Sequence, residues 1–110
     1  MIRFKPEVRI RRFTSQLGEI LALASTYSAL ERIEIEVNSI DDTAPNRSPT
    51  TLHGYGLAID LDTANDKPQE LEPLAEFLRR TLDPQYDVLL EGNHVHVEWD
   101  ARRGPLRRLQ

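Results

Sequence analysis

The stretch YDVLLEGNHVHVEW occupies residues 86–99, where two strand-like apolar runs flank a short polar segment. Gly92 lies within that segment, and glycine is common in the tight turns that join antiparallel strands. The pattern therefore predicts a β-hairpin, with strands over 86–90 and 94–99.

Upstream of the hairpin, apolar residues recur at helical spacing and predict a helix over 67–82. Asp66, with Gln69 three residues later, forms an N-cap signature, and Pro68 suits the first turn. The predicted buried face consists of Leu71, Leu74, Ala75, Leu78 and Leu82.

The first part of the chain contains a second helix and a further strand. Thr14 or Ser15 can cap a helix predicted over 15–29, where apolar residues again follow helical spacing. Alternation of apolar and polar residues predicts a half-buried strand over 32–39. The weaker alternation at 7–13 indicates either a short strand or an ordered lead-in.

Between these regions, residues 40–52 have the composition of a long loop, and long loops in small domains are often functional. A strand entered through two glycines is predicted over 54–61. The combined order of helices and hairpin-like strands predicts an α+β fold with two layers. We expect a mostly antiparallel sheet with the helices on one side.

Composition and charge exclude several classes of protein. The chain has 110 residues with no cysteine, so a disulfide scaffold and a thiolate metal site are excluded. No apolar run is long enough to span a membrane, and no secretory signal peptide is visible. Residues 1–13 and 101–110 together carry a net charge of +8, against −12 for residues 14–100. Such an acidic body is not typical of a specific nucleic-acid-binding protein.

The three histidines of the chain, His53, His94 and His96, lie at or near predicted strands. Because His94 and His96 are two residues apart in a strand, their side chains share one face of the sheet. Asp60 lies in an apolar run, where a carboxylate needs a partner if it is buried. Two histidines and one carboxylate, with a fourth position left for water, form a known catalytic zinc site.

Two segments resemble the motifs of a known family. HGYGLAID at residues 53–60 resembles the H-x-x-G-x-A-x-D signature of the zinc D-Ala-D-Ala carboxypeptidase and endopeptidase family. EGNHVHVE at residues 91–98 resembles the closing H-x-H strand of that family. The family shares its fold with the hedgehog signalling domain, and the chain resembles the small phage or prophage members of the family. The resemblance extends over residues 14–100.

The resemblance implies that His53, Asp60 and His96 bind Zn²⁺ and that water fills the fourth position. His94 would then either support the ligands from beside them or act in the transition state, close enough to hydrogen-bond to a developing oxyanion. An alternative alignment, in which Glu91-x-x-His94 is the closing motif, makes His94 the zinc ligand and Glu91 the general base.

The implied reaction is zinc-dependent hydrolysis of a peptide bond in a peptidoglycan stem peptide, next to D-alanine. Thr51 stands where the family often has serine, two residues before the first ligand. Arg47 lies in the long loop and is suited to bind a carbonyl or carboxylate of the substrate. An exposed loop arginine without such a role is an equally good interpretation.

One position departs from the family pattern. Relatives commonly have an acidic residue three positions before the ligand histidine, where this chain has Asn93. Glu91 is the best substitute for the missing general base, and Glu98 is the second choice. A non-catalytic zinc-binding module that recognises peptidoglycan or a protein partner is therefore the alternative function.

The sequence also leads to expectations about organisation and location. Residues 1–100 are expected to form one zinc-peptidase-like domain, followed by a basic tail at 101–110. We expect a monomer that is made in the cytoplasm, acts on the cell wall after release or lysis, and has no specific nucleic-acid partner.

Overall fold

A five-stranded sheet forms the centre of the computed structural model, which describes residues 1–10, 13–41, 56–63 and 68–100. The strands are β1 (Ile2–Phe4), β2 (Ile35–Asp41), β3 (Gly56–Thr63), β4 (Tyr86–Glu91) and β5 (His94–Asp100). Their order across the sheet is β1-β2-β3-β5-β4. The helices are α1 (Ser15–Glu31) and α2 (Leu71–Thr81), and a 3₁₀ turn (Pro68–Glu70) precedes α2.

The fold is α+β, as predicted, and its sheet is mixed. β2–β3, β3–β5 and β5–β4 are antiparallel pairs, whereas β1 pairs with β2 in parallel. The pattern of the sequence did not reveal β1, which is only three residues long. Residues 7–10 form neither helix nor strand, which favours the ordered lead-in over a strand.

Helix α1 begins and ends at recognisable caps. The Thr14 side chain accepts a hydrogen bond from the backbone N–H of Leu17 at 3.1 Å, as expected of an N-cap threonine. At the other end, Arg32 takes the left-handed conformation with φ of 56°, and its N–H donates to the carbonyl of Ser28. The helix therefore extends slightly beyond the predicted 15–29.

Helix α2 is shorter than the predicted span of 67–82. Its N-cap residue, Glu70, makes no capping hydrogen bond through its side chain, and the preceding turn is 3₁₀. The predicted cap residue Asp66 lies outside the described residues. Within the part of the chain that the structure describes, neither helix is long and apolar enough to cross a membrane.

Both helices pack against one face of the sheet. The core joins apolar residues of α1 and α2 to alternate residues of the strands, and Ile59, Val95 and Val97 are fully buried in it. The rings of Tyr27 and Phe77 connect the two helices at a centroid distance of 4.9 Å. The helices bury one face of the sheet, and the other face carries the polar residues described below.

The predicted hairpin is confirmed as β4 and β5. The two strands are joined through Gly92 and Asn93, and Glu91 pairs with His94 at the turn. Gly92 has φ of 48°, a conformation that glycine adopts with little strain. The hairpin places His94 at the start of β5, next to Glu91 at the end of β4.

Candidate functional site

The register of β3 and β5 places Asp60 directly opposite His96. One carboxylate oxygen of Asp60, Oδ1, lies 2.7 Å from Nδ1 of His96. The side chains are 29% and 14% exposed, so the pair is accessible from the polar face of the sheet but largely shielded. Asp60 is thus only half-buried, and it has an imidazole as its partner.

His94 lies beside this pair, on the same face of β5, as the spacing predicted. Its Nε2 atom is 3.7 Å from Oδ1 of Asp60 and 3.3 Å from Oε1 of Glu91. Its Nδ1 atom is 2.9 Å from Oδ1 of Asn93. Both imidazoles of β5 therefore approach the same carboxylate, and His96 approaches it more closely.

Two further residues complete the hydrogen-bond network. The hydroxyl of Ser39 donates to Oδ2 of Asp60 at 2.9 Å, and Oε1 of Glu98 lies 3.1 Å from Nε2 of His96. Sequence reasoning missed Ser39, which reaches Asp60 because the β2–β3 register shifts between Val37 and Ser39. A bulge of this kind leaves no clear pattern in a single sequence.

The carboxylates around His96 change its protonation. Burial is the largest single influence and lowers the pKa of His96, but the hydrogen bonds and the negative charges of Glu98 and Asp60 together outweigh it. The net effect raises the pKa of His96 above the ordinary value of 6.5. A metal ion that binds at Nδ1 would have to displace a proton that this network stabilises.

The donor atoms fit part of a zinc site. An imidazole nitrogen and a carboxylate oxygen are ligands that zinc takes. The 2.7 Å between the donor atoms of His96 and Asp60 is a direct hydrogen bond. Two ligands of a tetrahedral zinc are separated by about 3.3 Å, from bond lengths of about 2.0 Å. These two side chains would therefore have to part by a fraction of an ångström.

The other predicted site residues lie outside the described part of the chain. These are His53, the third predicted zinc ligand, and Arg47 and Thr51, the predicted substrate-binding residues. Among the described residues, no group of three or more His, Cys, Asp or Glu side chains is arranged to hold a metal ion. Of the three predicted zinc ligands, the described part of the chain thus contains Asp60 and His96.

The face that carries the network is acidic. Among the residues whose side chains the structure describes, six carboxylates share this face of the sheet with the two histidines by strand register. They are Glu36, Asp60, Asp62, Asp87, Glu91 and Glu98. Arg3 offsets part of this charge through ion pairs with Glu34 and Glu36, at 3.3 and 3.1 Å. Negative potential of this kind attracts cations to the network and repels polyanions.

Comparison with known proteins does not assign the chain to a family: no family model, curated protein or solved structure matches it.

Proposed function

We propose that this protein is a zinc-dependent peptidase that hydrolyses a peptidoglycan stem-peptide bond next to D-alanine. The observation that carries the proposal is the contact between Asp60 and His96. Two residues 36 positions apart in the chain present an oxygen and a nitrogen donor to each other at 2.7 Å. The motif resemblance described above supports the substrate class.

In this proposal, His53, Asp60 and His96 hold the metal. A zinc ion in such a site supplies a water acidic enough to react near neutral pH and polarises the scissile carbonyl. The assignment of His96 is supported by its distance to Asp60, which is 1.0 Å shorter than that of His94. His94, whose Nε2 lies 3.7 Å from Oδ1 of Asp60, would be available to donate a hydrogen bond to an oxyanion formed at the site.

Glu91 is proposed as the general base. Its carboxylate contacts Nε2 of His94 at 3.3 Å, and its side chain is half exposed at the end of the hairpin. An exposed carboxylate at this position can accept a proton from water and return it to the leaving amine. Arg47 and Thr51 are proposed to bind the substrate.

The alternative function is a zinc-binding module without catalysis, and Asn93 is the residue that favours it. Asn93 stands where the motif commonly has an acid, and its amide oxygen lies 2.9 Å from Nδ1 of His94. An amide cannot take the proton of a water molecule at neutral pH. If Glu91 does not replace the missing acid, the site would bind zinc and its ligand without turnover.

The first test measures bound zinc in wild type, His96→Ala and His94→Ala, each purified without a metal-affinity tag. We expect about one zinc per chain in wild type and in His94→Ala, and none in His96→Ala, because a zinc site needs each of its protein ligands. Circular dichroism controls for the fold. Loss of zinc in His94→Ala alone would instead support the alignment in which His94 is the ligand. Wild type that binds no added zinc would overturn the proposal.

The second part of the test separates the two functions. Purified muropeptides are incubated with zinc-loaded wild type and with Glu91→Gln, and the products are identified by mass spectrometry. Cleavage by wild type, reduced by about 10²-fold or more in Glu91→Gln, supports the peptidase with Glu91 as base. Muropeptide binding without cleavage by wild type supports the non-catalytic module.

A further inference from the structure

We propose that Glu98 is a positioning residue that orients His96 for zinc, and that it is not a general base. The inference rests on the proposed zinc function and deepens it, because it assigns a role to the carboxylate on the far side of the ligand ring. Glu98 was the second candidate for the base on sequence grounds, so the geometry separates two roles that the motif leaves open.

The two ring nitrogens of His96 face different carboxylates. Nδ1 lies 2.7 Å from Asp60, whereas Nε2 lies 3.1 Å from Oε1 of Glu98. A neutral imidazole has one N–H and one lone pair, and the partner of the N–H decides which nitrogen is free to bind a metal. A metal ion on Nδ1 would replace the proton that this nitrogen shares with Asp60, and the remaining N–H of the ring would then be on Nε2, which faces Glu98.

The backbone fixes this arrangement. Glu98 is two residues after His96 in β5, so both side chains stand on the same face of the strand. The neighbouring strand β3 holds Asp60 opposite His96, and Ser39 donates to the other oxygen of Asp60. The ring of His96 is therefore held from both sides, and its orientation depends on Glu98 at the side away from Asp60.

This arrangement leaves Glu98 poorly placed for proton transfer from a water at the metal. The carboxylate that contacts Nε2 lies across the imidazole ring from the nitrogen that faces Asp60. Carboxylates that accept a hydrogen bond from a metal-ligating histidine raise the basicity of the ligand and fix its orientation. Their loss typically weakens metal affinity by about 10–100-fold.

The test compares zinc affinity in wild type, Glu98→Ala and Glu98→Gln by competition with a chelator. We expect Glu98→Ala to bind zinc about 10–100-fold more weakly. Glu98→Gln keeps an oxygen that accepts the Nε2 proton, so we expect it to recover most of the affinity. Glu36→Ala is the matched control. It removes a carboxylate from the same face of the sheet, but this carboxylate contacts Arg3 and not His96. We expect it to stay within roughly threefold of wild type.

A spectroscopic readout tests the orientation itself. In long-range ¹H–¹⁵N spectra of the zinc-loaded wild type, we expect His96 to carry its proton on Nε2 and to bind zinc through Nδ1. This readout needs no substitution. It therefore tests the orientation of the His96 ring even if Glu98→Ala fails to fold.

The outcomes separate this inference from the proposed function. Zinc binding by wild type with unchanged affinity in Glu98→Ala would overturn the role of Glu98 alone. Zinc bound through Nε2 of His96 would also overturn the role of Glu98 and leave the proposed function standing. Wild type that binds no zinc would overturn both, and muropeptide cleavage that is lost in Glu98→Gln with zinc still bound would restore Glu98 as the base.

Discussion

The two faces of the sheet are built on the same strands but are held by different interactions. On the helix-packed face, Ile59, Val95 and Val97 are fully buried among the side chains of α1 and α2. On the polar face, the alternate residues Asp60, His94 and His96 meet through hydrogen bonds and ion-pair distances. One residue along a strand thus separates a core position from a candidate ligand.

The difference shows how a small domain can hold both a core and a site. Burial on the helix-packed face is non-directional and roughly proportional to the apolar area removed from water. Contacts on the polar face are directional, and each depends on one particular partner atom. We therefore expect substitutions on the first face to change the free energy of unfolding, and substitutions on the second to change mainly metal affinity and pH dependence.

The largest expected effect on stability comes from a substitution in the core on the helix-packed face. Leu74 is fully buried in α2, and we expect Leu74→Ala to lower the free energy of unfolding by about 2–5 kcal/mol through lost burial and the cavity left behind. Leu89→Ala is the matched control, because Leu89 pairs with His96 on the polar face and is 42% exposed. We expect it to cost less than about 1 kcal/mol. Urea denaturation measures both variants, and equal costs would contradict the distinction between the faces.

A smaller effect concerns the pH dependence of the polar face. Burial lowers the pKa of His96, but the hydrogen bonds and negative charges of Glu98 and Asp60 together outweigh burial, so the folded pKa lies above that of the unfolded chain. The protonated ring therefore stabilises the metal-free fold fully below about pH 6.5, and this contribution is lost as the pH rises through the folded pKa.

The measurement is the free energy of unfolding of metal-free wild type and His96→Gln as a function of pH. We expect the wild-type advantage to be greatest at acidic pH and to shrink as the pH rises. Zinc affinity should follow the opposite trend, because the metal competes with the proton on Nδ1. An advantage that grows with pH would show that His96 is not stabilised in its charged form.

The smallest expected effect concerns Ser39. Ser39→Ala removes the hydroxyl that donates to Asp60, and we expect a loss of about 0.5–1 kcal/mol in the free energy of unfolding. Ser39→Thr keeps a hydroxyl and serves as the control. If Ser39→Ala lowered the free energy of unfolding as much as Leu74→Ala, the polar face would also contribute to the core.

Much of the fold could be predicted because its signals are local. The helix spacing of α1, its Thr14 cap and the Gly92 turn each involve residues close together in the chain. Strand β1 could not be predicted, since a three-residue strand has little periodicity of its own. It forms because the parallel neighbour β2 supplies hydrogen bonds, as in the bond from the N–H of Lys5 to the carbonyl of Val37 at 3.1 Å.

For the candidate site, the spacing of two residues was enough to place His94 and His96 on a common face, because side chains alternate along every strand. The same spacing predicts that Glu98 joins them. The pairing of Asp60 with His96, and the approach of Ser39 across a bulge, required the fold, since each depends on the register between separate strands. Register is set by packing of the whole sheet against the helices, and residues far apart in the chain carry no local pattern that encodes it.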